Sequence, residues 1–299
     1  MRVFVTGATG FVGSAVVREL LGAGHEVTGL ARSDQAAAAL AAAGAGVHRG
    51  TLEDLGSLRS GADASDGVIH TAFNNISEST DFAASCRADR RAIETLGGAL
   101  EGSGRPLVVT SGTGLLTPGR LGTEQDASDT APFAALRGAS EETALAFAGR
   151  GVRVSVLRLP FSVHGDGDHG FVPALIGMAR AKGVSAYPGD GANRWPAVYR
   201  LDAAHLYRLA LEAAPAGARL HGVGEEGVPF RDIADVIGRH LNLPVTAVSR
   251  DEADGHFGYL AHFVTLDAPA SSALTRERLG WHPVQPALIP DMDKGHYFG

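Results

Sequence analysis

The sequence predicts an α/β protein built around a doubly wound parallel sheet, with a smaller C-terminal region beside it. Two observations support this fold class. Runs rich in β-branched residues alternate with helical stretches through the first half of the chain, and strands separated by helices pair in parallel with both faces covered. Three glycines spaced Gly-x-x-Gly-x-x-Gly also follow the first strand, which predicts a tight turn of bare backbone there.

The first half of the chain contains regular strand and helix signals. Strands are predicted at residues 3–6, 27–31, 46–49, 68–72, 107–111 and 152–159, and helices at residues 14–21, 35–43, 82–101 and 139–149. The alanine-rich stretch at 35–43 reads as a helix because alanine has the highest helix propensity. We expect Asp34 to cap this helix and Gly44 to end it.

The second half of the chain is less regular. A Gly-, Asp- and His-rich stretch follows residue 159, and further elements are predicted at residues 171–181, 198–201, 203–212, 219–223, 230–240 and 245–248. We therefore expect a first domain at residues 1–160, with residues 195–223 returning to its sheet. Residues 161–194 and 224–299 form the predicted substrate-binding region.

Composition and charge limit the classes of partner. The chain has 299 residues, of which 44% are hydrophobic and 20% charged, and no apolar run is long enough to cross a membrane. Its net charge is -7 and its basic residues are scattered, so we expect no nucleic-acid or membrane partner. One cysteine, Cys86, and a first strand that starts at Val3 without a leader predict a cytoplasmic protein that binds a small molecule.

The glycine motif predicts a nucleotide site. Gly7, Gly10 and Gly13 lie between the first strand and the first helix. Such a turn needs positive φ and bare backbone to approach a pyrophosphate, while the last glycine lets helix and strand pack closely. The N-terminus of the helix attracts the same anion. We therefore predict that residues 1–160 bind a dinucleotide in a Rossmann-type fold.

The end of the second strand indicates which dinucleotide binds. NAD sites usually carry an acidic residue there for the ribose hydroxyls, whereas this chain has Arg32 and Ser33. A guanidinium beside a hydroxyl suits a 2′-phosphate because it combines charge with forked hydrogen bonds. NADP is therefore the predicted cofactor, although Asp34 would oppose a phosphate if its side chain faced the site.

Six segments along the chain carry a family resemblance: residues 3–13, 68–72, 108–111, 158–160 with 163–165, 198–202 and 279–281. Together they resemble the short-chain dehydrogenase/reductase superfamily, in the extended and atypical branch that includes the NAD-dependent epimerase/dehydratase group. The resemblance covers almost the whole chain. The resemblance is also compatible with a homodimer.

The resemblance implies a set of cofactor contacts. Thr71, Ala72 and Phe73 would line the ribose and nicotinamide, residues 160–163 would pass beneath the nicotinamide, and Leu52 would flank the adenine. Thr51 stands where the family usually has aspartate. The full implied set is Gly7, Thr9, Gly10, Phe11, Val12, Gly13, Arg32, Ser33, Leu52, Thr71, Ala72, Phe73, Pro160, Phe161, Ser162 and Val163.

Catalysis is where the sequence departs from the family pattern. The usual reductases carry a Ser or Thr at the end of the fifth strand and a Tyr-x-x-x-Lys on the next helix. Here Ser111 and Thr113 supply the hydroxyls, but Arg137 stands in place of the tyrosine and Glu141 in place of the lysine. A guanidinium is a poor proton donor, yet it can polarise a carbonyl or bind a carboxylate. Glu141 and Glu142 are expected on a solvated face.

Other residues can replace the missing proton donor. His164 and His169 are candidates because histidine titrates near neutral pH, and Tyr199 is a weaker one. The histidines and aspartates of 164–169 are not expected to bind a metal, since two glycines interrupt them and the calcium-loop pattern is absent.

These residues favour an NADPH-dependent oxidoreductase that reduces a carbonyl or related unsaturated group of a small organic molecule, with Ser111, Thr113, Arg137 and His164 as candidate catalytic residues. Two alternatives stay open. One is an NADP-binding sensor without hydride transfer, which the loss of Tyr and Lys favours. The other is an epimerase or dehydratase of the sugar-nucleotide type.

Overall fold

The computed structural model describes residues 1–73 and 81–299. Within that part of the chain the strands are, in order, β1 (Arg2–Thr6), β2 (Glu26–Ala31), β3 (Gly46–Arg49), β4 (Gly67–His70), β5 (Pro106–Gly112), β6 (Arg153–Leu159), β7 (Ser162–His164), β8 (Ser185–Pro188), β9 (Arg194–Tyr199), β10 (Ala218–His221), β11 (Glu225–Pro229) and β12 (Val245–Val248).

The helices connect these strands and form the C-terminal tail. They are α1 (Phe11–Gly22), α2 (Asp34–Ala42), α3 (Leu55–Asp63), α4 (Phe82–Leu100), α5 (Pro132–Ala146), α6 (Phe171–Lys182), α7 (Arg200–Ala213), α8 (Phe230–Leu241), α9 (Ala253–Phe257), α10 (Ala261–Val264), α11 (Ala273–Leu279) and α12 (Leu288–Asp293). None of the helices in the described residues is long and apolar enough to span a bilayer.

Seven strands form a parallel sheet in the order β10-β6-β5-β4-β1-β2-β3. The predicted α/β fold class is confirmed. The chain moves outward from β1 through β2 to β3 and then crosses to β4 on the other side of β1, so the strand order reverses beside β1. Ligands of open α/β sheets bind at such a reversal, outside the carboxyl ends of the strands.

Two hydrophobic clusters cover the faces of this sheet. Successive residues of a strand point to opposite faces, so Val3 and Val5 pack into one cluster with α1 and α7, while Phe4 packs into the other with α3 and α4. Both faces are therefore buried, as a parallel sheet requires.

A second region lies beyond β6. The sheets β11-β9-β7 and β12-β8 pack with α6 and α8 around a third cluster that contains Trp195, Phe230 and Phe263. The prediction that residues 195–223 return to the main sheet is wrong for β9, because β9 pairs in parallel with β7 and antiparallel with β11. Within that range, β10 joins the seven-stranded sheet beside β6.

Some element boundaries also differ from the predictions. Ser33, not Asp34, caps α2: its Oγ accepts a hydrogen bond from the Ala36 amide at 3.2 Å. Helix α5 starts at Pro132, ahead of the predicted residue 139, and proline at the first helical position is well tolerated because its missing N–H would be unpaired anyway. Helix α3 was not predicted. Asp54 caps it, with Oδ1 accepting a hydrogen bond from the Ser57 amide at 3.0 Å.

The C-terminal tail is attached to α7 through two contacts. Trp281 is fully buried in the cluster beneath the main sheet, and its Nε1 donates a hydrogen bond to the Asp202 carbonyl at 3.0 Å. The Asp202 carboxylate accepts the amides of Val284 and Gln285, each at 3.0 Å. The tail therefore contributes to the hydrophobic cluster on one face of the main sheet.

We expect Trp281→Ala to lower the free energy of unfolding by about 3–5 kcal/mol, because it removes a fully buried indole and leaves a cavity. Urea unfolding followed by circular dichroism measures this change. Val284→Ala, at a residue that is 79% exposed in the same tail, is the control and should change stability by less than about 0.5 kcal/mol. Equal, small effects of both substitutions would contradict the role given to Trp281.

Candidate active site

The turn between β1 and α1 consists of closely packed backbone. Gly7 has φ +67°, and a Cβ added there would lie 2.7 Å from the Ala72 amide nitrogen. The Gly10 amide donates to the Gly7 carbonyl at 2.9 Å, and a Cβ on Gly13 would lie 2.0 Å from that same carbonyl oxygen. Each end of the motif therefore needs glycine, for the conformation at Gly7 and for the close contact at Gly13.

A cleft of about 510 Å³ lies over this turn. It is open at the N-terminus of α1, where unpaired backbone N–H groups and the helix dipole favour an anion. Several residues predicted to contact a cofactor line it: Gly7, Thr9, Gly10, Arg32, Leu52, Thr71, Ala72 and Phe73. Val12 and Gly13 do not line the cleft, and Gly13 instead supports the turn from behind.

The cleft continues towards the second region of the protein. An adjoining cleft of about 380 Å³ is lined by Phe11, Phe161, Ser162 and Val163, and by Phe73, which it shares with the first cleft. Pro160 lines a third pocket, described below. The predicted cofactor residues other than Val12, Gly13 and Ser33 therefore line three pockets, which share Phe73.

At the end of β2, one basic side chain faces the cofactor cleft and a nearby acidic side chain points away from it. Arg32 is exposed and lines the cleft. Asp34 does not line the cleft, because its carboxylate pairs with the Arg49 guanidinium at 2.6 Å on the outside of the protein. Glu53, in the loop after β3, does line it. At the β2 end, the charge that faces the cleft is therefore positive.

A third pocket, of about 230 Å³, has mainly aromatic walls and is called here the phenylalanine pocket. The rings of Phe82 and Phe133 are stacked with centroids 4.6 Å apart, and Phe133 meets Phe263 edge to face at 5.4 Å. The full lining is Phe73, Phe82, Ser111, Gly112, Gly114, Leu115, Phe133, Arg137, Leu159, Pro160, Phe161, Phe171 and Phe263. Among the described residues of this lining, the polar side chains are those of Ser111 and Arg137.

Arg137, from α5, is held at this pocket by a buried network. Its Nη1 pairs with Asp89, its Nη2 donates to the Thr110 carbonyl at 2.8 Å, and its guanidinium lies 4.4 Å above the centre of the Phe73 ring. His70 Nε2 lies 3.2 Å from the Asp89 carboxylate. Burial raises the pKa of Asp89, but Arg137 and His70 outweigh it, so the pKa falls below its usual value. Arg137 therefore faces the pocket as a fixed cation.

Ser111, at the end of β5, is bonded to a buried carboxylate. Its Oγ donates to Glu141 at 3.0 Å, and Glu141 also pairs with Arg158 and, at 2.8 Å, with Arg219. The prediction that Glu141 lies on a solvated face is wrong, since the residue is fully buried, whereas Glu142 is exposed and also pairs with Arg219. Burial raises the pKa of Glu141, yet the two guanidinium groups outweigh it and lower the pKa.

The structure does not bring Thr113 or His164 to the phenylalanine pocket. Thr113 lies in a short 3-10 turn after β5, and its buried hydroxyl has no hydrogen-bond partner among the described residues. His164 is fully buried in β7, with Nδ1 3.0 Å from the Asp291 carboxylate, and burial lowers its pKa. His169 lines the adjoining cleft beside Phe11.

Asp168 lies at the same adjoining cleft. One carboxylate oxygen accepts the Gly170 amide at 2.7 Å, and the other accepts the Tyr297 hydroxyl at 3.3 Å. Burial raises the pKa of this carboxyl to about 6. Within residues 1–73 and 81–299, no three His, Cys, Asp or Glu side chains are grouped as metal ligands.

Sequence reasoning missed three features of this site. The phenylalanines come from distant segments, and nothing in their spacing marks them as neighbours. No local sequence pattern marks Asp89 as a partner of Arg137. Glu141 could have been found, because it lies four residues after Arg137 on one helix and residues at that spacing share a face.

The protein is a dinucleotide-binding α/β protein, because its glycine turn lies under a long cleft at the carboxyl ends of a doubly wound sheet. A model of the NAD dependent epimerase/dehydratase family matches residues 3–221. The chain belongs to that family.

Individual relatives agree with this assignment. The chain is 52% identical over 299 residues, the full length of both proteins, to the uncharacterized protein C2A9.02 of Schizosaccharomyces pombe. It is 29% identical over 270 residues to the 2-alkyl-3-oxoalkanoate reductase of Stenotrophomonas maltophilia, covering 82% of this chain and 77% of that one. It shares the fold of the dTDP-glucose 4,6-dehydratase DesIV from Streptomyces venezuelae, solved with NAD bound, with a TM-score of 0.79, 23% identity and coverage of 99% and 96%.

Proposed function

We propose that this protein is an NADPH-dependent reductase that acts on a carbonyl group of a small organic molecule. The observation that carries the proposal is the position of Arg137, a fixed guanidinium in the phenylalanine pocket. Phe73 lines both this pocket and the cofactor cleft, so a substrate in the pocket would adjoin a nicotinamide in the cleft. A preorganised cation at an apolar site favours the oxyanion that forms when a carbonyl is reduced.

The cleft offers suitable groups for both the pyrophosphate and the 2′-phosphate of NADPH. The backbone of Gly7 and Gly10 and the N-terminus of α1 would hold the pyrophosphate. Arg32, which lines the cleft, would pair with the 2′-phosphate. Asp34 does not oppose this phosphate because it is paired with Arg49.

The chemistry follows from these side chains. When bound, the reduced nicotinamide would supply the hydride for the carbonyl carbon. The π electron pair of the carbonyl then resides on its oxygen, and the Arg137 guanidinium stabilises that negative charge. A guanidinium is a poor proton donor, so the proton needs another source. Asp168 is our candidate, because the cleft that it lines shares Phe73, Phe161 and Phe171 with the phenylalanine pocket and burial raises the pKa of its carboxyl to about 6. A C–H bond of the reduced cofactor and the O–H bond of the acid would break, one C–H and one O–H bond would form, and the products would be an alcohol and the oxidised cofactor.

One relative supports this reaction over the alternatives. The name 2-alkyl-3-oxoalkanoate reductase describes reduction of an oxo compound. A sugar nucleotide, as an epimerase or dehydratase of this family would take, is less suited to the aromatic walls of the phenylalanine pocket. An NADP sensor remains the second candidate, favoured by Arg137 and Glu141 in the positions of the family's tyrosine and lysine.

We expect Arg32→Ala to weaken NADPH binding by about tenfold to a hundredfold and to leave NADH binding nearly unchanged, because only NADPH carries the 2′-phosphate. Isothermal titration with each nucleotide measures both affinities. Arg18→Ala is the control, since Arg18 is exposed on α1 and does not line the cleft. Equal losses for NADPH and NADH would remove the basis for NADP preference.

Hydride transfer is tested with NADPH deuterated at C4 on either face and a panel of aldehydes, ketones, imines and enones, read by mass spectrometry. We expect label in an alcohol product, and Arg137→Met should lower kcat by about 10²–10³ because the oxyanion loses its charged donor. Arg150→Met is the control, at an exposed arginine that pairs with Glu101. Tight NADPH binding with no label in any product would favour the sensor.

The pH dependence of kcat/KM tests the proton source. Asp168 is protonated below its pKa of about 6, so kcat/KM should fall about tenfold per pH unit above that value as the acid form is lost. The Asp168→Asn variant should be a slow enzyme, and its rate should not show this decrease above pH 6. Asp166→Asn, at an exposed aspartate outside the cleft, should keep it. If the Asp168→Asn variant showed the same decrease above pH 6 as the wild type, the titrating group would be a residue other than Asp168.

A further inference from the structure

The two polar side chains of the phenylalanine pocket have opposite hydrogen-bonding character. Arg137 can only donate. Ser111 carries one hydrogen, and that hydrogen points to Glu141 at 3.0 Å. What remains free on Ser111 is the lone pairs of its oxygen. The pocket therefore offers a donor at Arg137 and an acceptor at Ser111.

We propose that the phenylalanine pocket takes hydroxy-ketones with an aryl or similarly apolar body, with the carbonyl oxygen bound by Arg137 and the hydroxyl donating to Ser111. This inference rests on the proposed reductase function and names its substrate class. In this arrangement Ser111 accepts a hydrogen bond from the substrate hydroxyl and does not orient the carbonyl.

The state of Glu141 fixes the direction of the Ser111 hydrogen bond. Its Oε1 accepts from Arg158 and Arg219, and its Oε2 accepts from Arg158 Nε at 3.0 Å and from Ser111. A carboxylate between two guanidinium groups stays ionised, as the lowered pKa of Glu141 indicates. An ionised carboxylate has no hydrogen to give, so Ser111 must be the donor in this bond.

Turning the Ser111 hydrogen towards a ligand would cost a hydrogen bond to a buried charge. Hydrogen bonds to charged groups are stronger than those between neutral groups, and the Ser111 side chain is itself buried. A ligand that donates to Ser111 keeps the bond to Glu141 and gains another. A ligand that only accepts must break one bond to form the other.

The Arg137 guanidinium keeps N–H donors for a carbonyl oxygen. Nη1 pairs with Asp89, and Nη2 donates to the Thr110 carbonyl. Guanidinium has five N–H donors, so donors remain for a ligand oxygen. Thr110 directly precedes Ser111 on β5, which places the two polar positions next to each other.

The rest of the described lining favours an apolar ligand body. Apart from Ser111 and Arg137, the side chains that line the phenylalanine pocket among residues 1–73 and 81–299 are apolar, and six of them are phenylalanine. Against these side chains, a ligand hydroxyl or phosphate beyond the two matched groups would lose water without gaining a partner. A flat apolar body carrying one carbonyl and one hydroxyl fits this arrangement.

The test compares ketones that differ in one group. The first set is 2-hydroxyacetophenone, its 2-methoxy ether and the isosteric propiophenone, and the second is 3-hydroxypropiophenone, its 3-methoxy ether and butyrophenone. We expect kcat/KM for the hydroxy-ketone to exceed that of both partners by at least about tenfold in one set, because the ether and the hydrocarbon cannot donate. A methoxy-ketone used as well as the hydroxy-ketone would overturn the proposal, since an acceptor would then satisfy Ser111.

The variant Ser111→Ala separates recognition from folding. In this variant the ratio of kcat/KM between hydroxy-ketone and isostere should fall towards one, whereas Ser60→Ala, at an exposed serine of α3, should keep the wild-type ratio. An unchanged ratio in Ser111→Ala overturns the proposal. If deuterium passes from NADPH to other carbonyl compounds but to none of these ketones, the substrate class fails while the reductase function stands. If no label moves to any compound, the reductase function itself fails.

Discussion

The carboxylate of Glu141 holds together the parts of the protein that form the substrate side. It lies on α5 and binds Arg158 of β6, Arg219 of β10 and Ser111 of β5. Burying one carboxylate is costly unless charges and hydrogen bonds compensate it, and here two guanidinium groups do so. Because those partners come from three neighbouring strands, the geometry of the pocket wall depends on this one residue.

Much of the fold was predictable because its signals are local. A parallel strand buried on both faces is a run of apolar residues, and β1 to β6 were each predicted within a few positions. The glycine turn was equally clear, since positive φ at Gly7 and the contact at Gly13 leave glycine as the residue that fits. The sheet to which β9 belongs was not predictable, because pairing with β7 and β11 depends on segments distant in sequence.

The substrate side was harder to predict for a physical reason. Its walls combine residues from α4, α5, α6 and the loop after β6, and no short pattern records that these side chains meet. Thr113 and His164 were reasonable candidates by residue type, but a 3-10 turn and a buried strand direct them elsewhere. Arg137 was found because the family resemblance indicated the position, whereas its partner Asp89 lies on another helix.

The ion pair between Arg137 and Asp89 has an evolutionary consequence. If Arg137 alone were replaced by the tyrosine of its superfamily, the buried Asp89 carboxylate would keep His70 but lose the guanidinium, and breaking a buried ion pair costs about 3–5 kcal/mol. That loss is a large part of the stability of an ordinary domain. The two positions are therefore expected to change together among homologues.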